Sequence, residues 1–257
     1  MNGLRSELLK YKRTFMGKLI VFAPAFFAVY GVVIMFYMQN DQAVAAGNTS
    51  MSWESLLALI FNCWSFLFLP LGAALFATMV AAQEKKAGNY RALRTRNISP
   101  VEIWVNKIAG MASYSLISTF VLVIITLVTG YLTANGLPPL AQIIEAALVC
   151  WISMLALFPI QLWAATCGGI FLSMGIGFIG MVVGVVVAPL PLWFIMPWSW
   201  ATRMMCPIVG IHPNGLILEA GNPLLNFSVV PAGILLSLIA ATLLTLLTAA
   251  WFKHREV

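Results

Sequence analysis

Several stretches of this chain are apolar over about 20 residues or more, and this feature rules out most folds. An α-helix of that length crosses the roughly 30 Å hydrocarbon layer of a bilayer. Hydrophobic residues make up 61% of the 257 residues and charged residues only 9%, so too few polar side chains exist to cover a soluble globule. The sequence therefore predicts an all-α membrane protein with one transmembrane domain over residues 1–257.

Six transmembrane helices are predicted from the apolar stretches. Pro70 predicts a bend in the second of them, because proline lacks the N–H of a helical hydrogen bond. Gly136, Pro138 and Pro139 predict a tight turn between the third and fourth. We place the six spans at residues 18–38, 55–82, 108–133, 140–165, 167–188 and 229–252.

Basic residues predict the orientation of the spans. Of the 14 lysines and arginines, only Arg203 falls on the second side of the six-span arrangement. Short basic flanks are retained in the cytoplasm during insertion, so both termini are expected there. The net charge of +6 follows from this orientation and suits anionic membrane lipid, so we predict no nucleic-acid partner.

Two segments outside the spans have patterns of their own. Residues 1–17 predict an interfacial helix in the inner headgroup layer, with a basic tail that only sets the orientation as the alternative. Residues 189–228 are rich in Pro, Trp and Gly and predict short external helices that dip back toward the outer leaflet. The apolar face of the first segment consists of Leu4, Leu8, Tyr11 and Phe15, with Ser6, Lys10 and Arg13 opposite.

Motifs for catalysis and cofactor binding are missing from the sequence. It contains no P-loop and no nucleophile elbow, and its four cysteines lack paired spacing. A Gly-x-Gly-x-x-Gly run begins at Gly175 inside a predicted span, where dinucleotide binding is excluded and close helix packing is the better interpretation. We predict no catalytic residue, no metal site and no cofactor bound by this chain. The predicted packing glycines are Gly169, Gly177, Gly180 and Gly184.

One internal segment concentrates charge, at residues 83–107 between the second and third spans. Its position between two spans predicts a structured loop on one membrane face that a partner protein would bind. A solvated basic loop that only sets the orientation is the alternative. Its basic residues are Lys85, Lys86, Arg91, Arg94, Arg96 and Lys107.

This segment resembles the cytoplasmic loop of the lantibiotic-immunity ABC permeases. That loop reads roughly Glu, Gly, aromatic, basic, Leu, then Pro-Ile/Val-Ser and Lys, and here residues 84–93 read EKKAGNYRAL, followed by Asn97-Ile98-Ser99 and Lys107. The order of spans, the basic start and the long region before the last span are also similar, so the resemblance covers the whole chain. Asn97 stands where proline is common, and Pro100 follows the serine.

The resemblance implies a type 2 ABC exporter fold in which residues 83–107 contain a cytoplasmic coupling helix. That helix would dock in a groove of a separate ATPase dimer, which would hold ATP and Mg²⁺. Tyr90, Leu93 and Trp104 would serve as apolar anchors within a rim of arginines. The coupling residues implied are Glu84, Gly88, Tyr90, Arg91, Leu93 and Arg94.

The implied function is export of an amphipathic lantibiotic peptide from the bacterial cytoplasmic membrane to the outside, which gives the producer immunity. A second, different permease subunit would complete the pathway. Glu145 is the only ionisable residue predicted within a span, and it would either line a cavity or extend to the outer headgroups. The acidic residues available on the route are Asp41, Glu54, Glu145 and Glu219.

Two other functions fit the sequence. A related permease could export another drug, antibiotic or ion. Residues 83–107 indicate that an ATPase drives transport, but they do not indicate which substrate is exported. A membrane sensor or assembly subunit without transport would have the same composition.

Overall fold

The computed structural model describes residues 3–12, 14–46, 51–88 and 99–255, and these are almost entirely helical. The predicted all-α membrane class is confirmed. Within the described ranges, the α-helices are α1 Gly3–Lys12, α2 Phe15–Ala46, α3 Trp53–Cys63, α4 Leu69–Lys86, α5 Pro100–Thr133, α6 Leu140–Leu155, α7 Leu157–Val187, α8 Pro197–Val209 and α9 Val229–His254.

Four helical stretches of the described chain are long and apolar enough to cross a membrane. Two shorter apolar helices accompany them, Phe15–Phe26 within α2 and Leu140–Leu155. Several membrane crossings follow from these lengths, because a span needs about 20 residues. The four long stretches are Trp53–Lys86, Pro100–Thr133, Leu157–Val187 and Val229–His254.

The stretch from Trp53 to Lys86 joins α3 and α4 through a π-helical turn at Trp64–Phe68. Pro70 follows this turn directly, and its ring would clash with the carbonyl group of Phe66 in a regular α-helix. The wider turn removes that conflict without ending the helix. The irregularity therefore lies where Pro70 predicts a bend.

The α7 helix folds back on itself at Gly169. This residue has φ 67° and ψ −150°, a combination that only glycine adopts readily. The Ser173 hydroxyl donates to the Gln161 side-chain oxygen at 2.9 Å, although 12 residues would be about 18 Å apart along a straight helix. The prediction that Gly169 packs helices closely is wrong, because a Cβ atom placed there meets nothing within 4 Å.

The α6 helix continues with little interruption into the first half of α7. Ala156, between them, keeps helical angles of φ −71° and ψ −24°. Pro159 explains the break, since it cannot donate the N–H that would bond the carbonyl of Leu155. Residues 140–168 and 170–187 therefore form two antiparallel arms joined at Gly169.

The α8 helix is inserted between these arms and the Trp53–Lys86 stretch. Its first turn lies against Pro70 and Leu157. At its other end the Ile208 carbonyl accepts a 2.7 Å hydrogen bond from Gln142, near the start of α6. Short 3-10 helices at Pro191–Ile195 and Pro223–Leu225 flank α8. The external position predicted for residues 189–228 stays a prediction.

A minimal sheet joins two of the long helices at the same end of the molecule as Gln142. Strand β1, Met51–Ser52, pairs in parallel with strand β2, Ala134–Asn135. The indole N–H of Trp53 donates to the Gly136 carbonyl at 3.3 Å. The start of α3 is thereby tied to the end of α5.

Candidate functional site

The charged segment predicted to bind a partner begins where α4 ends and finishes where α5 begins. Gly88 has φ 97° and terminates α4 in the left-handed conformation that favours glycine. Pro100 occupies the first turn of α5, where its missing N–H costs no helical hydrogen bond. Four predicted coupling residues lie outside the described residues: Tyr90, Arg91, Leu93 and Arg94.

Among the residues that the structure describes, four charged side chains meet beside this segment and form the buried charge cluster, Glu7, Lys10, Glu84 and Lys107. The Lys107 ammonium lies 2.6 Å from Glu84 Oε1 and 3.2 Å from Glu7 Oε2. Lys10 lies 2.7 Å from Glu7 Oε1 and 2.8 Å from the same Glu84 oxygen. Two carboxylates are thus balanced by two ammonium groups.

Three helices supply the cluster. Glu7 and Lys10 lie one turn apart on α1, Glu84 is in the last turn of α4, and Lys107 is two turns into α5. Exposure is 5% for Glu7, 3% for Glu84 and 0% for Lys107. Such burial is tolerated only because each charge has an opposite partner within hydrogen-bonding distance.

Lys10 is the member nearest to solvent. Its half-burial alone would lower the pKa of the amine, but hydrogen bonds to Glu7 and Glu84 raise the pKa above the ordinary lysine value. The amine is therefore protonated throughout the physiological pH range.

The α1 helix packs lengthwise along α5. Gly3 contacts Asn106, and the backbone of Gly110 lies against Glu7. The two helices therefore run in the same direction. Tyr114 donates from its hydroxyl to the Leu8 carbonyl at 2.9 Å. The buried face of α1 brings Glu7 to Lys107, and the position of this helix in the inner headgroup layer stays a prediction.

The apolar face predicted for the first segment is only half correct. Tyr11 is fully buried, with its ring 5.3 Å from the Tyr114 ring and 5.7 Å from the Phe76 ring. Phe15 is 60% exposed, because the chain enters α2 there and turns that side chain outward.

Trp104 is fully buried against α9, so the expectation that it anchors a partner is wrong. Its indole N–H donates to the Thr248 hydroxyl at 2.9 Å, and its ring stacks on Phe252 at 4.7 Å. Arg255 lies over the Trp251 ring and donates to the Thr166 carbonyl at 3.0 Å. The Trp104 contacts hold the end of α9 against the start of α5, and the Arg255 hydrogen bond ties the chain after α9 to α7.

The structure describes the side chains of three of the four acidic residues predicted along the substrate route. Glu54, Glu145 and Glu219 are exposed, and the side chain of Asp41 lies outside the described side chains. The cavity between α2, the π-helical turn and α5 has a volume of about 30 Å³ and is lined by Trp64, Phe68 and Tyr114, not by these acids. It could hold a water-sized molecule but no peptide.

Three of the predicted packing glycines do lie at close helix contacts. A Cβ atom at Gly177 would come within 2.8 Å of the Ala74 Cβ and 3.2 Å of the Pro70 carbonyl. Gly180 and Gly184 both lie against Trp198 of α8. Within the described part of the chain, no group of His, Cys, Asp or Glu residues could hold a metal ion.

Sequence reasoning missed Glu7 and the pairing of Lys107. The spacing of Glu7 and Lys10 is a recognisable helical ion pair. Nothing in the sequence links either residue to Glu84, which is 77 positions after Glu7. Only the packing of α1, α4 and α5 brings these groups together.

The described residues form a bundle that contains four helical stretches long and apolar enough to cross a membrane. The profile of the ABC-2 family transporter proteins matches residues 3–184, and the chain belongs to this family. It is therefore the membrane permease subunit of an ABC transporter, and the family implies a separate ATPase partner. No curated protein matches the sequence at a significant level.

Proposed function

We propose that this chain is one permease subunit of a type 2 ABC exporter that expels lantibiotic-type peptides from the bacterial cytoplasmic membrane. It crosses the membrane six times with both termini in the cytoplasm, and it pairs with a second, different permease subunit. An ATPase dimer binds residues 83–107 and supplies the energy. Coupling occurs through Tyr90 and Leu93, with Arg91 and Arg94 around them.

The charge polarity of the bundle carries this proposal. Glu84 follows Glu54 by 30 residues along one continuous helical stretch, a rise of about 45 Å, which exceeds the hydrocarbon thickness. The exposed lysines described at the ends of α4 and α9, Lys85, Lys86 and Lys253, lie on the Glu84 side. This distribution supports a cytoplasmic position for residues 83–107.

Acidic residues at the other end support a cationic cargo. Glu54 Oε1 lies near Gly210, and the neighbouring carbonyl of Ile208 is bound to Gln142, three residues before Glu145. Glu54 and Glu145 therefore occupy the same end of the bundle, opposite the buried charge cluster. Negative charge there would attract a cationic amphipathic peptide to the external side.

Peptide export does not need a preformed cavity in one subunit. A cavity of about 30 Å³ cannot admit a peptide, so the pathway is expected between two permease subunits. Closure of the ATPase dimer would move residues 83–107 and favour an outward-open arrangement of the spans.

Coupling is tested by the double substitution Tyr90→Ala/Leu93→Ala. We expect loss of co-purification with the ATPase and normal insertion into the membrane. Leu9→Ala is the matched control, because Leu9 is an exposed leucine on α1 outside the coupling segment. Co-purification of the double variant at the control level would overturn the coupling assignment.

Cargo is tested by expressing the complex in a sensitive strain and challenging it with a panel of lantibiotics. Protection that disappears when the ATPase carries an inactivating P-loop substitution supports peptide export. Protection against a different antibiotic or an ion supports the related exporter. ATP hydrolysis that no compound stimulates, together with no protection, supports a sensor or assembly subunit.

A further inference from the structure

The buried charge cluster joins the two ends of the coupling segment, residues 83–107, to each other and to α1. Glu84 lies three residues before Ala87, and Lys107 lies eight residues after Ser99. Their side chains meet at 2.6 Å, so the two ends of the intervening chain are held at a fixed separation. Lys10 adds the α1 helix to the same Glu84 oxygen at 2.8 Å.

Stability alone is a weak reason for such a cluster. Removing charges from water has a large free-energy cost, and a well-packed apolar group of similar volume is often as stable. What the charges add is a defined register, since each ammonium must face a carboxylate. Three helix ends are thereby locked in one relative position.

We infer that Glu7, Lys10, Glu84 and Lys107 are positioning residues that make α1, the end of α4 and the start of α5 move as one body. The inference rests on the proposed function, in which the ATPase moves the segment between α4 and α5. Displacement of that segment is then passed to α1 and α5 together, and the helices do not slide past one another.

Aromatic packing next to the buried charge cluster also favours movement of α1, α4 and α5 as one body. Tyr11 donates to Glu7 Oε2 at 3.3 Å, and its ring is held by Phe76 of α4 and Tyr114 of α5. The same three helices therefore meet again one turn farther along α1. Rigid aromatic packing next to the ion pairs resists rotation of α1 about its own axis.

The test is a distance measurement between spin labels in the assembled complex with its ATPase. Labels at Lys12 and Lys85, both exposed, report the separation of α1 from α4. Labels at Lys85 and the exposed Ala220 report movement of α4 relative to the other end of the bundle. Native cysteines are replaced by alanine, and the nucleotide-free and vanadate-trapped states are compared.

We expect the Lys12–Lys85 distance to stay constant between the two states and the Lys85–Ala220 distance to change. A change in the Lys12–Lys85 distance would overturn the inference and leave the proposed function intact. If neither distance changes on vanadate trapping, the ATP-driven movement itself is absent, and both the proposed function and the inference fail.

The variant Glu84→Gln/Lys107→Met separates a mechanical role from a stabilising one. It removes one carboxylate and one ammonium and leaves Glu7 and Lys10 as a balanced pair on α1. Lys107→Met alone is the comparison, because it leaves two buried carboxylates with one lysine.

We expect the double variant to fold, to bind the ATPase and to hydrolyse ATP, while its Lys12–Lys85 distance shifts on vanadate trapping. A double variant whose Lys12–Lys85 distance stays as constant as in the unmodified protein would overturn the inference. If the double variant fails to fold, the Lys12–Lys85 distance in the unmodified complex still tests the inference.

Discussion

Replacing Gly184 by alanine should destabilise the contact between α7 and α8. A Cβ atom at this position would lie 2.7 Å from the Trp198 carbonyl oxygen and 2.9 Å from its carbon. Both atoms belong to the backbone, so no side-chain rotation can relieve the clash. The two helices must separate by several tenths of an ångström, which weakens the surrounding packing.

Gly175→Ala provides the matched control for this substitution. Gly175 lies on the same arm of α7, and a Cβ atom there meets nothing within 4 Å. Both substitutions gain about 1 kcal/mol of helix propensity, so this contribution cancels in the comparison. The remaining difference is the cost of overpacking, which should make the Gly184→Ala variant about 1–3 kcal/mol less stable than the Gly175→Ala variant.

Thermal unfolding in detergent measures this difference. The protein has 9 tryptophans, so intrinsic fluorescence reports the transition. For a chain of this length, 1 kcal/mol corresponds to about 2–4 °C in Tm. Equal Tm values for the two variants would refute the close approach of α8 to Gly184.

Three further outcomes are expected. Gly169→Ala should lower the free energy of unfolding by about 1–3 kcal/mol relative to Gly175→Ala, because φ 67° and ψ −150° strain any other residue; equal thermal stability would contradict the reversal at Gly169. Ser173→Ala should cost about 1 kcal/mol, since its hydroxyl bonds the Gln161 side chain at 2.9 Å, and an unchanged melting temperature would count against this bond. A membrane-impermeant maleimide should label the exposed Cys167 in inside-out vesicles only and leave the buried Cys150 unlabelled, as read by peptide mass spectrometry. Labelling of Cys167 in right-side-out vesicles would reverse the proposed orientation.

Features that depend on short stretches of sequence were predictable. Apolar length predicts the membrane class, because the bilayer sets the length of a spanning helix whatever its neighbours are. Pro70 marks the irregular turn, since the missing N–H is a local defect. Gly177, Gly180 and Gly184 were recognised as small residues suited to close packing, although their partners were not.

Local sequence patterns gave wrong predictions for residues that can have either of two structural roles. Gly169 follows the same four-residue spacing as Ser173 and Gly177, but the chain reverses there, and a Cβ atom at this position would meet nothing within 4 Å. Trp104 lies near the end of a charged segment, as a partner anchor would, yet it is fully buried and packs against α9. Spacing along the chain does not reveal which neighbour occupies a face.

The sequence alone determined that this chain is a multi-pass helical membrane protein and that its charge is concentrated between two long apolar stretches. Both properties are sums over adjacent residues, so no knowledge of packing is needed to recognise them. Only the tertiary structure decided that Glu7, Glu84 and Lys107 share one buried site. Their attraction extends over a few ångströms, and residues as many as 100 positions apart come that close only when α1, α4 and α5 pack together.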